Sequence, residues 1–130
     1  AHLDRGFYIE PTVFSRVDNR STIAQEEIFG PVICVIPARG DKQMIELAND
    51  SLFGLNASVF TNDNDRAYTV GRKLRSGGVA QNAFRADPTI GFGGFKQSGM
   101  GREGGVEGLL HYLESKIMLL DQAIEGQNLI

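Results

Sequence analysis

Seven residues, Pro31-Val32-Ile33-Cys34-Val35-Ile36-Pro37, constrain the fold more than any other stretch, being continuously apolar and closed at both ends by proline. A run of this length with β-branched residues at most positions favours a strand buried on both faces, as in a parallel or mixed sheet. Around it, apolar segments with period two alternate with segments of helical period. Phe7 to Phe14 is rich in aromatic and β-branched residues, with Pro11 confining it to an edge or irregular strand. Asp41 is placed to cap a helix over 42–50 whose apolar face is Met44, Ile45, Leu47 and Ala48, ending between Ser51 and Gly54. A strand over 55–61 follows, and then a helix opened by Asp63 or Asp65. Its core-facing stripe is Ala67, Val70, Gly71 and Leu74, and Gly77-Gly78 ends it. Val79 to Ala83 reads as a short strand, Val106, Leu109, Leu110 and Leu113 as one face of a helix, and Ile117 to Leu120 as a last strand. Strands alternating with helices in this way read as an α/β architecture with right-handed crossovers.

The composition is that of one globular unit: 130 residues, 42% hydrophobic, which should bury roughly two-thirds of the surface exposed when unfolded. Lys and Arg total 13 against 16 Asp and Glu, a formal charge of -3, so the electrostatic attraction that a nucleic-acid partner requires is missing. No stretch approaches the roughly 18 consecutive apolar residues of a membrane span. One cysteine, Cys34, excludes an internal disulfide, and the opening AHLDRGFYIE has no apolar signal run. A reducing, cytoplasmic setting is expected. The sequons at Asn19, Asn49 and Asn56 would matter only in a secreted protein.

Two stretches carry chemistry. From Gly91 to Gly105 there are seven glycines in fifteen residues, a loop that either connects flexibly or lines a ligand, since glycine permits close backbone approach. Gly99 to Gly104 spells a G-x-G-x-x-G, but the apolar strand that must precede a dinucleotide fingerprint is replaced by Gly94-Phe95-Lys96-Gln97-Ser98. The second stretch, Glu26 to Val32, sets two acids and an aromatic just before the apolar run. An extended backbone here would present Glu27 and Phe29 on one side. A carboxylate accepts hydrogen bonds from a ribose diol and an aromatic face packs on a planar ring, so the pair suits a nucleotide; a solvated Glu and a core Phe fit the same residues. Cys34, within an apolar strand context, reads as core packing rather than as a nucleophile. His2 and His111 have no partner at metal-ligand spacing.

Four blocks, GFYIEPTVF (6–14), EEIFGPV (26–32), the Gly-Val-x-x-Asn at Gly78 to Asn82, and FGGFKQSGMGREGG (92–105), together resemble successive blocks of the NAD(P)-dependent aldehyde dehydrogenase superfamily, in its order and at nearly its spacing. The resemblance implies the C-terminal part of the catalytic domain (1–115), an oligomerisation strand (116–121) and a tail (122–130). Glu27 then matches the glutamate that holds the nicotinamide ribose of NAD or NADP, and Phe29 the aromatic beside it. Phe92 matches the aromatic lining the aldehyde tunnel, Phe84 lies in the variable loop that shapes the same tunnel, and Asn82 matches a structural asparagine at a strand end. Gly91 departs from the family, which usually has proline there, and this loosens the expected placement of Phe92.

Such enzymes attack an aldehyde with a cysteine thiolate, pass hydride to NAD(P), and hydrolyse the thioester with water activated by a glutamate. Neither motif for those two groups occurs in this sequence, nor does the nucleotide-binding domain. The expectation is therefore part of an aldehyde-oxidising enzyme, inactive as 130 residues alone and associating with its own copies through the last strand. The rival expectation is a non-catalytic assembly or regulatory module derived from the same family.

Overall fold

The computed structural model describes residues 5–122. Its strands are β1 (Thr12–Ser15), β2 (Val32–Val35), β3 (Phe53–Gly54), β4 (Asn56–Val59), β5 (Gly78–Gln81) and β6 (Phe95–Lys96). Its helices are α1 (Thr22–Gln25), α2 (Gly40–Asn49), α3 (Asn64–Gly71) and α4 (Gly105–Leu110). The strands form three separate pairs: β1 with β2 in parallel, β4 with β5 in parallel, and β3 with β6 antiparallel. The class is α/β, as the alternation predicts, and β4–α3–β5 is a complete strand-helix-strand unit in which Asn56 pairs with Gly78 and Val59 with Gln81. Val70 of α3, 2% exposed, and Val59 of β4, 8% exposed, are its buried centre. Of the two acids proposed to open α3, Asp63 is the cap, its side chain accepting a hydrogen bond from Arg66 N at 3.0 Å.

Several expectations are corrected. The apolar run around Cys34 does form β2, but only one face is half-buried, and Ile33 on the other is 62% exposed. The physical reason is one of layers: β1 flanks β2 edge to edge, and the exposure of Ile33 and Val35 shows that no described helix or second sheet lies over that face. The strand proposed for 7–14 begins only at Thr12, after Pro11, because proline contributes no amide hydrogen to a ladder. Asp41 does not cap α2, which starts at Gly40 behind Arg39 without a side-chain cap. Its carboxylate instead takes a forked pair of hydrogen bonds from Arg66, at 2.6 and 3.1 Å, joining α2 to α3.

Helix α4 stops at Leu110, and Leu113 lies beyond it. Ile117 to Leu120 belongs to no described strand and is exposed, Ile117 at 85% and Leu119 at 93%. The expected last strand is thus not formed within this chain, nor is that segment packed on the chain's own sheets. His2 and most of the tail, from residue 123 onward, lie outside the described residues.

The chain as a whole exposes 11626 Å², whereas a self-contained monomer of 14.2 kDa exposes about 6,800 Å² by the usual size scaling. The two-thirds burial expected from length is therefore not reached; the figure is about 44%. Apolar faces that a self-contained domain would cover stand open, including those of β2 and α4.

Candidate functional site

The site is built around the C-terminal turn of α2 and the glycine-rich loop. Glu27 lies in the connection between α1 and β2, on the wall of a hollow of about 350 Å³ whose other sides include Asn49, Ser51, Leu55, Arg75 and Ser98. Among the described residues no donor reaches its carboxylate within hydrogen-bond distance, so both oxygens can accept from a ligand. Phe29 follows with φ of 49° and 90% of its surface exposed. A left-handed backbone at a bulky residue is uncommon and costs about 1–3 kcal/mol. The alternation argument for Glu27 and Phe29 does not hold, because this φ breaks the extended backbone on which period two depends.

The glycine-rich loop is held closed at its base. Phe92 N donates to Glu103 O at 2.7 Å and Glu103 N donates to Phe92 O at 2.8 Å, an antiparallel bridge that fixes Phe92 from across the loop. The looseness expected from Gly91 is in this way offset by a tie that does not involve residue 91. Phe92 stands between two hollows. One, of about 360 Å³, is walled by Ala86, Pro88, Ile90 and Gly104; the other, of about 390 Å³, by Leu55, Ser98, Met100 and Arg102. Leu55 and Ser98 also line the Glu27 hollow, so the two regions share a wall, closed by the hydrogen bond from Gly54 N to Ser98 Oγ at 2.9 Å.

Phe84 is exposed in the loop after β5 and is not among the side chains lining these hollows. The same loop is braced at Asp87, which accepts from Thr89 Oγ1 at 2.6 Å and Thr89 N at 2.9 Å. Those two bonds, the hydroxyl's first, hold its carboxyl below the ordinary carboxylate range.

Gly99, Gly101 and Gly104 all have positive φ, at 124°, 79° and 71°. The strand before them, β6, has two residues and pairs antiparallel with β3, so the G-x-G-x-x-G has no dinucleotide-binding context. Arg102 in its middle turns back to Phe95, whose ring lies 5.4 Å from the Arg102 guanidinium and 5.0 Å from that of Arg75. His111 Nε2 accepts from Arg102 N at 3.3 Å. Cys34 is half-buried in β2, its thiol directed at Ile23 O at 3.6 Å, a packing position against α1. Asn82, at φ 54°, accepts from Thr61 N at 2.8 Å and donates to Thr61 O at 2.9 Å, tying the ends of β4 and β5 together.

The model of the aldehyde dehydrogenase family matches residues 1–118. This chain belongs to that family. Among curated relatives, it is 47% identical over 117 residues to the geranial dehydrogenase of Castellaniella defragrans, covering 90% of this chain and 24% of that one. It is 46% identical over 119 residues to the betaine aldehyde dehydrogenase of Brucella ovis, covering 91% and 24%. Among solved structures, an aldehyde dehydrogenase from Mycobacterium tuberculosis complexed with NAD+ superimposes with a TM-score of 0.86 at 44% identity, over 92% of this chain and 25% of that one. One from Pseudomonas syringae, complexed with NAD+ and octanal, gives 0.81 at 47% identity, over 85% and 23%. The chain spans about a quarter of the length of these relatives.

Sequence reasoning missed Asn49, Lys96 and Ser98, which join the parts of this aldehyde dehydrogenase segment. The signal available was an asparagine at a helix end, a position where side chains satisfy leftover backbone groups.

Proposed function

We propose that this chain is the C-terminal part of the catalytic domain of an NAD(P)-dependent aldehyde dehydrogenase that oxidises an aldehyde to a carboxylic acid. The observation that carries the reading is the shared wall of Leu55 and Ser98 between the hollow bearing Glu27 and the hollow bearing Phe92. A cofactor site and an aldehyde site must adjoin for hydride to pass between them.

In this reading Glu27 accepts hydrogen bonds from the nicotinamide ribose, for which its unpaired carboxylate is suited. Phe29 packs beside that ribose, and its exposed ring is the surface it offers. Bound NAD(P)+ supplies the hydride acceptor; the chain's own groups orient it and shape the aldehyde path. Phe92, fixed by the Glu103 bridge, lines that path, and the loop carrying the exposed Phe84 shapes its approach. Cys34 is engaged with Ile23 O, so the 130 residues alone hold no activated nucleophile and oxidise no aldehyde. The exposed segment 116–121 is the oligomerisation strand, pairing with a second copy. The nucleophile and general base come from other parts of a longer polypeptide. The open apolar faces of β2 and α4 support that arrangement, being surfaces that further chain would cover.

Replacing Glu27 by Gln in the complete enzyme tests the site. Single-turnover NADH or NADPH formation should slow by up to about 100-fold, as expected for loss of orientation by about 1 Å, with aldehyde binding altered less. An unchanged hydride-transfer rate would reduce Glu27 to a surface acid.

A further inference from the structure

The last turn of α2 leaves carbonyls without helical partners, and three side chains supply donors to it and to the residues just after it: Lys96 and Gln25 from opposite ends of the site, and Asn19 beside Gln25. Lys96 Nζ donates to Asn49 O at 2.8 Å and to Ser51 O at 2.9 Å. Gln25 Nε2 donates to Asp50 O at 2.9 Å, and also to the backbone carbonyl of Asn19 at 2.5 Å. Asn19, 9% exposed, in turn donates from Nδ2 to Asp50 O at 3.1 Å and to Asp50 Oδ2 at 3.2 Å. The side chain of Asn49 locks the same turn to the chain after α3, accepting from Arg75 N at 2.7 Å and donating to Lys73 O at 2.8 Å.

The placement of Gln25 and Lys96 matters. Gln25 is the last residue of α1, two positions before Glu27, and Lys96 is four positions after Phe92 in β6. Lys96 has a left-handed φ of 56°, a conformation that a lysine adopts only where its surroundings hold it. A cation at a helix C-terminus is also favoured by the helix dipole. We propose that Gln25 and Lys96 are positioning residues that fasten the Glu27–Phe29 loop and the glycine-rich loop to one anchor, Asn49 to Ser51, so that this turn sets the separation of the two halves of the site. The proposal rests on the reading of Glu27 and Phe92 given above.

The test uses the complete enzyme, comparing Lys96→Met, which keeps length and removes the donors, with Lys96→Arg, which keeps charge and donors. Hydrogen exchange followed by mass spectrometry is read at 92–98 and, across the anchor, at 26–32. Kinetics are read in parallel with octanal and betaine aldehyde as probes. Lys96→Met should speed exchange in both segments and lower kcat/KM by roughly 10- to 100-fold, the scale of a small misplacement, while Lys96→Arg restores both readouts. Faster exchange confined to 92–98, or in neither segment, would refute the shared anchor. Coupled exchange with unchanged kinetics would instead refute the assignment of Glu27 and Phe92 to the site. A loss of folding in Lys96→Met is separated from these outcomes by Gln25→Leu, which removes the Gln25 donor and should speed exchange at 26–32 and, through the anchor, at 92–98.

Discussion

Gly77→Ala should disrupt the loop that carries Phe92 through a backbone overlap. A Cβ built on Gly77 lies 1.6 Å from Gly93 O, 2.7 Å from Gly93 C and 3.2 Å from Gly94 Cα. All three are backbone atoms, so no rotamer relieves the overlap, and the Gly93 peptide has to move by roughly 2 Å to restore ordinary contact. Gly77 is itself held, its N–H donating to Gly54 O at 2.9 Å. The displacement therefore falls on the glycine-rich loop, and Gly93 is bonded directly to Phe92. Overpacking of this kind costs about 1–3 kcal/mol of stability, and a shift of about 1 Å in a substrate-positioning group costs about 100-fold in rate. Thermal unfolding and steady-state kcat/KM of the complete enzyme would measure the two effects, and kcat/KM for aldehyde should fall more than the affinity for the nucleotide. A variant with unchanged melting and full activity would show that the Gly77–Gly93 contact does not position Phe92.

Removing the cap of α3 by Asp63→Ala should destabilise the protein by about 1 kcal/mol, and Asp63→Asn by less, because asparagine still accepts from the Arg66 amide; urea unfolding of both variants checks the order. The hydrogen bond from Arg66 holds the Asp41 carboxyl below the ordinary aspartate value. A depressed folded value contributes stability above the unfolded value that disappears as pH falls through the folded one. Asp41→Asn should accordingly be less stable than the parent at roughly pH 5, with the gap shrinking as the pH falls into the acid range; a gap that is constant with pH would exclude this ion pair as its source. Met118→Lys should break self-association seen by light scattering if 116–121 pairs with another copy, and an oligomer indifferent to the lysine would remove that role.

Periodicity sufficed for most of the local elements, and capping chemistry for one of the two helices it was applied to. The apolar run 32–35, the helix faces of α2 and α3 and the choice of Asp63 or Asp65 to open α3 are properties of neighbouring residues, and Asp63 is the cap; the expected stop at Gly77-Gly78 is not kept, because α3 ends at Gly71 and Gly78 already begins β5. The four family blocks likewise mark the family, and the family match over 1–118 agrees with them. What periodicity could not decide is everything set by residues far apart in the chain. Whether β2 is covered on one face or two depends on which helices or second sheet pack over it, not on its own composition. An extended backbone puts Phe29 on the side of Glu27, but its φ is left-handed, and a left-handed φ at a phenylalanine has no local sequence signal. Lys96 looked like one cation in a glycine-rich connector; its role appears only once β6 brings its ammonium onto carbonyls 45 and 47 residues earlier in the chain. Local backbone preferences act over a few residues, whereas a hydrogen bond across the fold exists only after the chain has closed on itself.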